Sequence, residues 1–534
     1  MDAMEFDYVI VGAGSAGCVL AARLSENPAT TVCLLEAGGP DKSVLIHAPA
    51  GVVAMVPTTI NNYAFETVPQ PGLNGRKGYQ PRGKTLGGSS SINAMLYVRG
   101  NRWDYDHWAA LGNPGWGYDE VLPLFKRAEH NEQFADAFHG QGGPLNVTYP
   151  RFESPLSRMF LDACAHHGIA PNPDYNGAQQ EGSFLYQVTH KNGERCSAAK
   201  GYLTPNLSRS NLKVITHAVS AKVDLDQRRA TGVQFYLGNE LQRVRARREV
   251  IVSAGAFGSP QLLQLSGIGA PAALQQAGVT PVHALPGVGQ NLQDHIDYVQ
   301  SWTVPSHTAS FGASPRGIGQ IARAMFEWRR QRSGMVTSTI ATAGAFFRSA
   351  PEVAVPDLQL VFVVALVDDH ARKAHLGHGI SCHVDVLRPY SRGTVGIRSS
   401  NPRVAPVIDP QFLSDERDLA LLVQGGQMQQ RILESAAFDS VRGKMLYPVK
   451  SGDTAAMAQD IRNRADTQYH PVGTCKMGPD SDPLAVVDAQ LRVKGIAGLR
   501  VADASIMPTL VGGNTNAPSI MVGEKCAELI RTGH

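Results

Sequence analysis

Phe6-Asp7-Tyr8-Val9-Ile10-Val11 runs without a break into Gly12-Ala13-Gly14-Ser15-Ala16-Gly17. The first six residues are mostly apolar and read as a buried strand. The glycines read as a tight turn, and residues 18–24 follow with helical spacing. A second apolar run, residues 31–35, ends at Glu36. Strand, glycine turn, helix, strand and acid within about 30 residues is the pattern of a dinucleotide-binding βαβ unit. Its glycines let backbone amides approach a pyrophosphate seated at the helix N-terminus. Glu36 lies about 20 residues beyond the turn, where a carboxylate accepts from a ribose hydroxyl and disfavours a 2′-phosphate. An ordinary βα turn is the alternative. The spacing alone does not separate FAD from NAD.

The remaining composition sets bounds around this unit. The 534 residues are 43% hydrophobic and 18% charged, which makes a globular chain with a large core. At about 150 residues per domain, three or four domains in series are expected. Lys and Arg number 49 against 46 Asp and Glu, a net charge of +3, which excludes a strongly basic nucleic-acid binder. Cysteines stand at 18, 33, 164, 196, 382, 475 and 526, with no Cys-x-x-Cys. Neither a disulfide framework nor a zinc site is indicated, and a reducing compartment fits. Residues 1–7 lack the basic and apolar regions of a signal peptide, and no apolar run reaches about 18 residues. A cytoplasmic location is expected.

Three further blocks are rich in turn residues. Arg82-Gly-Lys-Thr-Leu86-Gly87-Gly88-Ser89-Ser90-Ser91-Ile92-Asn93 suits a loop that wraps a cofactor, or a plain surface loop. Residues 250–269 read as a strand end, a tight turn at Ala254 and Gly255, and a helix started by Pro260. Near the C-terminus, Tyr469-His470-Pro471-Val-Gly473-Thr-Cys475 precedes a strand over residues 498–502. Asp503-Ala504 and Gly512-Gly513-Asn514-Thr515-Asn516-Ala517-Pro518 follow, then a helix from near Pro518. Loops at strand ends and helix starts are where sites are built.

With these blocks in order, the chain resembles the glucose–methanol–choline (GMC) family of flavin oxidoreductases. Residues 83–106 match its first signature and residues 255–269 its second. Within the family it is most similar to the bacterial FAD-dependent dehydrogenases of aliphatic alcohols, with choline and polyethylene glycol dehydrogenases close by. The resemblance implies FAD and a catalytic pair at His470 and Asn514, with Tyr469 lining the substrate pocket. It implies cofactor contacts from Gly12, Gly14, Ser15, Ala16, Gly17, Glu36, Ala37, Arg82, Leu86, Gly88, Ser89, Asn93, Ala94 and Met95. Val219, Ala254, Asp503, Ala504, Asn514 and Thr515 complete that set. For Asp503 a helix N-cap or Asx turn is the alternative. Some members hold FAD covalently through a histidine in the first signature. Ile92 stands at that position, so non-covalent FAD is expected.

Alcohol oxidation needs a base for the hydroxyl proton. Histidine, with an ordinary pKa of about 6.5, suits His470 to that task, and Asn514 can hold the alcohol oxygen. The expected reaction turns a primary aliphatic alcohol into the aldehyde, with hydride passing to flavin N5. The electron acceptor is a respiratory-chain quinone or oxygen. Choline or polyethylene glycol dehydrogenation, an oxygen-using alcohol oxidase, or a non-redox lyase on the same scaffold are the alternatives.

The middle of the chain is read more coarsely. Residues 358–366 and 380–386 suggest an antiparallel sheet. Residues 315–334 place Ile318, Ile321, Met325 and Trp328 at helical spacing beside five arginines. Such a helix either lies on an anionic membrane at its inner face or is a domain helix with a solvated side. Asp368, Asp369, His370, His375 and His378 match no metal-binding spacing, so no metal is expected. The motif order replaces domains in series with an interleaved α/β pair. A Rossmann-like FAD domain takes residues 1–155, 195–300 and 456–534. A substrate domain, an antiparallel sheet flanked by helices, takes 156–194 and 301–455.

Overall fold

A computed structural model describes residues 4–533, so the first three residues of the N-terminal segment read above lie outside the described residues. Strand β1 (Met4–Val11) ends in the glycine turn, helix α1 (Ser15–Leu24) follows, and β2 (Val32–Leu35) returns parallel to β1. Val9 and Ile10 are fully buried, and each such side chain contributes about 1.5–3 kcal/mol. Gly12 has φ +99°, and a Cβ there would meet the Ser253 carbonyl oxygen at 2.4 Å. A Cβ on Gly17 would stand 1.8 Å from the Gly12 carbonyl oxygen. The turn therefore folds this tightly only with glycine at both places.

The sheet around β1 is assembled from distant segments. Strands β3 (Leu212–Ile215), β4 (Ala218–Asp226), β5 (Arg229–Leu237) and β6 (Glu240–Val252) join it in the order β3-β2-β1-β6-β5-β4. The short strand Leu499–Val501 pairs in parallel with β6. β3 and β4 are parted at His217, whose φ is +58°. That corner sets Val219 beside Glu36, because the Ala218 amide donates to the Glu36 carbonyl at 2.8 Å.

Helix α2 (Gly255–Leu265) corrects one expectation: it starts at Gly255, and Pro260 lies inside it. Proline removes the amide that would bond the Ala256 carbonyl four residues back. Thr474 Oγ1 donates to that carbonyl at 2.6 Å, so the helix continues.

The second sheet is antiparallel. It holds β7 (Ile296–Val304), β8 (Ala341–Phe347), β9 (Leu358–Val363) and β10 (Gly377–Val386), with Asp466–Thr467 and Gly182–Leu185 at its edges. Leu358, Leu360, Phe362, Ile380, Cys382 and Val384 share a core with the helices Pro155–His166 and Glu416–Leu433. The alternate residues, Gln359, Val361, Ser381, His383 and Asp385, take the other face, as a period of two requires. Domain boundaries at 300 and 456 do not match this sheet, since β7 starts at Ile296 and Asp466–Thr467 pairs with it. No turn residue punctuates the sequence at residue 300, so nothing in it marks the change.

Helix α3 (Pro315–Gln331) packs Ala324 and Trp328 against Ala48 and Val336. The apolar positions read as one face divide: Trp328 turns inward, while Ile318 is 68% exposed and Ile321 41%. Helix α4 (Asn516–Arg531) begins two residues before Pro518, at a point in the first turn where proline's missing amide costs nothing. Its buried Glu524 receives Arg23 at 2.8 Å, Arg127 at 2.9 Å and the Tyr202 hydroxyl at 2.9 Å, which pins α4 to α1.

Candidate active site

A cavity of about 1430 Å³ runs between the two sheets. Glu36, Ala37 and Val219 line it on the β2–β4 side. The turn residues Gly12, Gly14, Ser15 and Ala16, with Gly88 and Ser89, line its middle. Asn93, Ala94 and Met95 lead along it to Tyr469, His470, Asn514 and Thr515. Arg82, Ala254, Asp503 and Ala504 also face it. Gly17 and Leu86 do not: Gly17 sits beneath the turn, and Leu86 packs in the core while its amide holds the Gly39 carbonyl.

Each wall has a local cause. Glu36 is buried, and its carboxylate accepts from the amides of Ala13 at 2.9 Å and Gly38 at 2.7 Å. Burial pushes its pKa up to about 7. The N-termini of α1 and α4 both open on the groove, presenting free amides and the positive ends of their dipoles. Asp503 takes the turn-capping role and also lines the cavity. Its Oδ1 caps the short turn Ala504–Ile506 through the Ser505 amide at 2.8 Å, and its Oδ2 holds the Gly255 amide at 2.9 Å. The volume of the groove, its glycine cradle and its two helix ends fit a dinucleotide.

At the far end, His470 Nε2 lies 3.1 Å from Asn514 Nδ2. Gln359 Nε2 reaches Asn514 Oδ1 at 3.4 Å, which orients the amide with its NH₂ toward the histidine. His470 is 7% exposed. Burial, with help from His295 and Arg82, holds its pKa well below the ordinary 6.5, so the ring stays neutral at working pH. Tyr469 has φ +73°, and its hydroxyl meets His370 Nδ1 at 2.6 Å. Ile340, Ala341, Val361, Val363 and Val367 give the cavity apolar lining, and Thr339, His370, His383 and Gln468 line it too.

The loop residues weighed for metal are partnered separately. His375 pairs with Asp368 at 2.7 Å, His370 with Asp466 at 3.0 Å, and His378 bonds Ser314 at 2.8 Å.

Several residues at the site escaped the sequence reading. Asp294 Oδ1 accepts from the His470 amide at 2.8 Å. Arg195 is buried behind the block of residues 82–93 and donates to the Asn93 carbonyl at 2.7 Å and its Oδ1 at 2.8 Å. His295, Gln359 and Asp385 stand behind the His470–Asn514 pair. A signal for β10 existed: Ser381, His383 and Asp385 alternate with apolar residues in a strand buried from its second residue on.

Two family profiles, both described as GMC oxidoreductase, match residues 6–297 and 389–523. The chain is 46% identical over 533 residues to a Pseudomonas putida alcohol dehydrogenase [acceptor], covering 98% of this chain and 95% of the relative. It is 44% identical over 532 residues to an oxygen-dependent choline dehydrogenase of Vibrio vulnificus, covering 98% and 94%. Among solved structures, pyridoxine 4-oxidase from Mesorbium loti aligns with a TM-score of 0.89 at 31% identity, covering 99% of this chain and 100% of that one. A formate oxidase from Aspergillus oryzae aligns at 0.91 with 25% identity, covering 100% and 99%.

Proposed function

The chain belongs to the GMC oxidoreductase family, and from that premise we propose that it oxidises a primary aliphatic alcohol to the aldehyde, with FAD held non-covalently and His470 as the base. The observation that carries this is the neutral His470 facing the Asn514 amide at 3.1 Å, in the same cavity that the glycine turn lines. FAD, when bound, supplies the acceptor for the hydride at its N5. The protein's part is positional and acid–base. Asn514 donates to the alcohol oxygen and holds it beside His470 Nε2, which takes the hydroxyl proton. The α4 N-terminus favours the negative charge of the reduced cofactor.

Ile92 supports the non-covalent reading: it is apolar and 3% exposed, against Ile46 and Met55. Denaturation should release all the yellow colour from the chain, and flavin left on the polypeptide would count against this.

The substrate reading rests on the apolar lining. Ile340, Val361, Val363 and Val367 offer only hydrocarbon surface, which suits an alkyl chain. An alcohol panel, run with oxygen and with an artificial acceptor, tests this: primary aliphatic alcohols should be turned over with higher kcat/KM than choline. A preference for choline would overturn the assignment, and the two acceptor arms separate dehydrogenase from oxidase.

A peripheral membrane contact through residues 315–334 belongs to the same proposal. Ile318, Ile321 and Phe326 are exposed on α3, and Leu376 stands 90% exposed near its start. Arg316, Arg323, Arg329 and Arg330 flank them, a pairing that suits an anionic lipid surface.

A further inference from the structure

A neutral imidazole presents a lone pair from only one of its two nitrogens. For His470 the Asn514 NH₂ faces Nε2 from within the groove, and the matching choice at Nδ1 is made outside it. His295, the residue before β7, is fully buried, and its Nδ1 lies 2.9 Å from His470 Nδ1 with the rings at 84°. On its other side, His295 Nε2 stands 3.0 Å from the carbonyl oxygen of Leu387, just past β10, and the Val511 backbone also lies against the ring. A carbonyl can only accept, so His295 Nε2 carries hydrogen. Burial pushes the His295 pKa down to about 3, so the ring is neutral and its Nδ1 is bare. The hydrogen between the rings therefore sits on His470 Nδ1. His470 Nε2 is left as the lone pair, on the side of Asn514 and the groove.

We propose that His295 is the positioning residue that locks His470 in its Nδ1–H form and shares the charge when His470 takes the alcohol proton. The inference rests on the reading of His470 as base. In the step, the O–H bond breaks and its proton bonds to His470 Nε2. The C–H bond breaks with its electron pair passing to the flavin, and the carbonyl forms. The imidazolium keeps its Nδ1–H on His295 Nδ1, which draws positive charge onto the second ring. The Nε2 proton leaves with the electrons to the quinone or oxygen, so the hydrogen between the rings is the same one throughout the cycle.

The surrounding charges are set for this order. Asp385 Oδ2 is 3.8 Å from His295 Nδ1, and neither of its oxygens has a hydrogen-bond partner among the described residues. Burial, with Asp297 and Asp294 nearby, holds the Asp385 carboxyl well above the ordinary carboxylate range, which favours its neutral form. Arg388 beside His295 and Arg82 beside His470 further oppose a resting imidazolium. An ionised Asp385 would draw a proton onto His295 Nδ1, reverse the chain, and place hydrogen on His470 Nε2.

Neutron diffraction from deuterium-exchanged crystals of the FAD-loaded enzyme tests the order directly. Deuterium is expected on His470 Nδ1 and His295 Nε2, with His470 Nε2 bare; deuterium on His295 Nδ1 overturns the proposal. In parallel, His295→Ala should slow flavin reduction about 10- to 100-fold at unchanged FAD content and alcohol KM. His295→Asn, whose Oδ1 replaces the Nδ1 acceptor, should recover most of that loss. Wild-type reduction in the alanine variant, or no recovery in the asparagine variant at full FAD content, overturns the positioning role. Failure of the base reading looks different, since only then does His470→Ala retain turnover.

Discussion

A base whose pKa lies well below 6.5 keeps its lone pair into mildly acidic solution. The sign follows directly: lowering the pKa of the base moves the acid limb of kcat/KM to lower pH. The profile should stay flat from pH 8 down through 6.5 and fall only below it. A limb centred at or above 6.5 would show that His470 is not the neutral, buried ring described. Replacing His470 by alanine should lower kcat by about 10²–10⁴-fold, the ordinary worth of a general base, while the flavin spectrum persists. Neither His470 nor Asn514 is legible from local chemistry. One histidine among 17 carries no mark of function, and the family resemblance alone singled these two out. His295 was harder still, because its importance lies in a carbonyl 92 residues away that no pattern in the sequence connects to it.

Periodicity exposed the helices and strands well and their orientation poorly. The spacing in residues 315–334 predicts a helix, and α3 is one, yet Trp328 and Ile318 part company. What decides it is tertiary: the Trp328 indole donates to the Gly193 carbonyl at 2.8 Å and buries its ring beside Ala48. Trp328→Ala should therefore destabilise the protein by about 3–5 kcal/mol, read from the shift of a urea unfolding midpoint. Phe326→Glu, at a position 63% exposed, should leave that midpoint unchanged and abolish co-sedimentation with anionic liposomes at low salt. If wild type does not sediment either, α3 is a domain helix with a solvated side. The glycine turn was the most legible element, because its demands are steric. Gly17→Ala forces a Cβ to 1.8 Å from the Gly12 carbonyl, and the expected result is protein purified without flavin. Pro260 misled for a complementary reason, since its helix is completed by Thr474, more than 200 residues away in sequence.

The spread of cofactor motifs along the chain made the interleaving of the two sheets readable, while their borders stayed hidden in uninterrupted strands such as β7. The groove lies between the sheets and is lined by both, by the β1–α1 turn on one side and Val361 and Val363 on the other. A ligand there ties them together. Apoprotein stripped of FAD should melt at lower temperature, and FAD at 100 times its Kd should restore about 2.7 kcal/mol, seen as a single cooperative transition. Two separated transitions in the holoprotein would show the halves unfolding independently.

The short strand Leu499–Val501 beside β6 also bears on how the protein is made. A ribosome releases residue 4 long before residue 501, yet both belong to one sheet. The nascent chain must keep β1, β2 and β6 from pairing wrongly until the C-terminal strand and α4 emerge. Contacts of such long sequence separation slow folding and prolong exposure of apolar edges. Synthesis at lowered temperature, or with added chaperone, should raise the yield of yellow protein more than that of total chain.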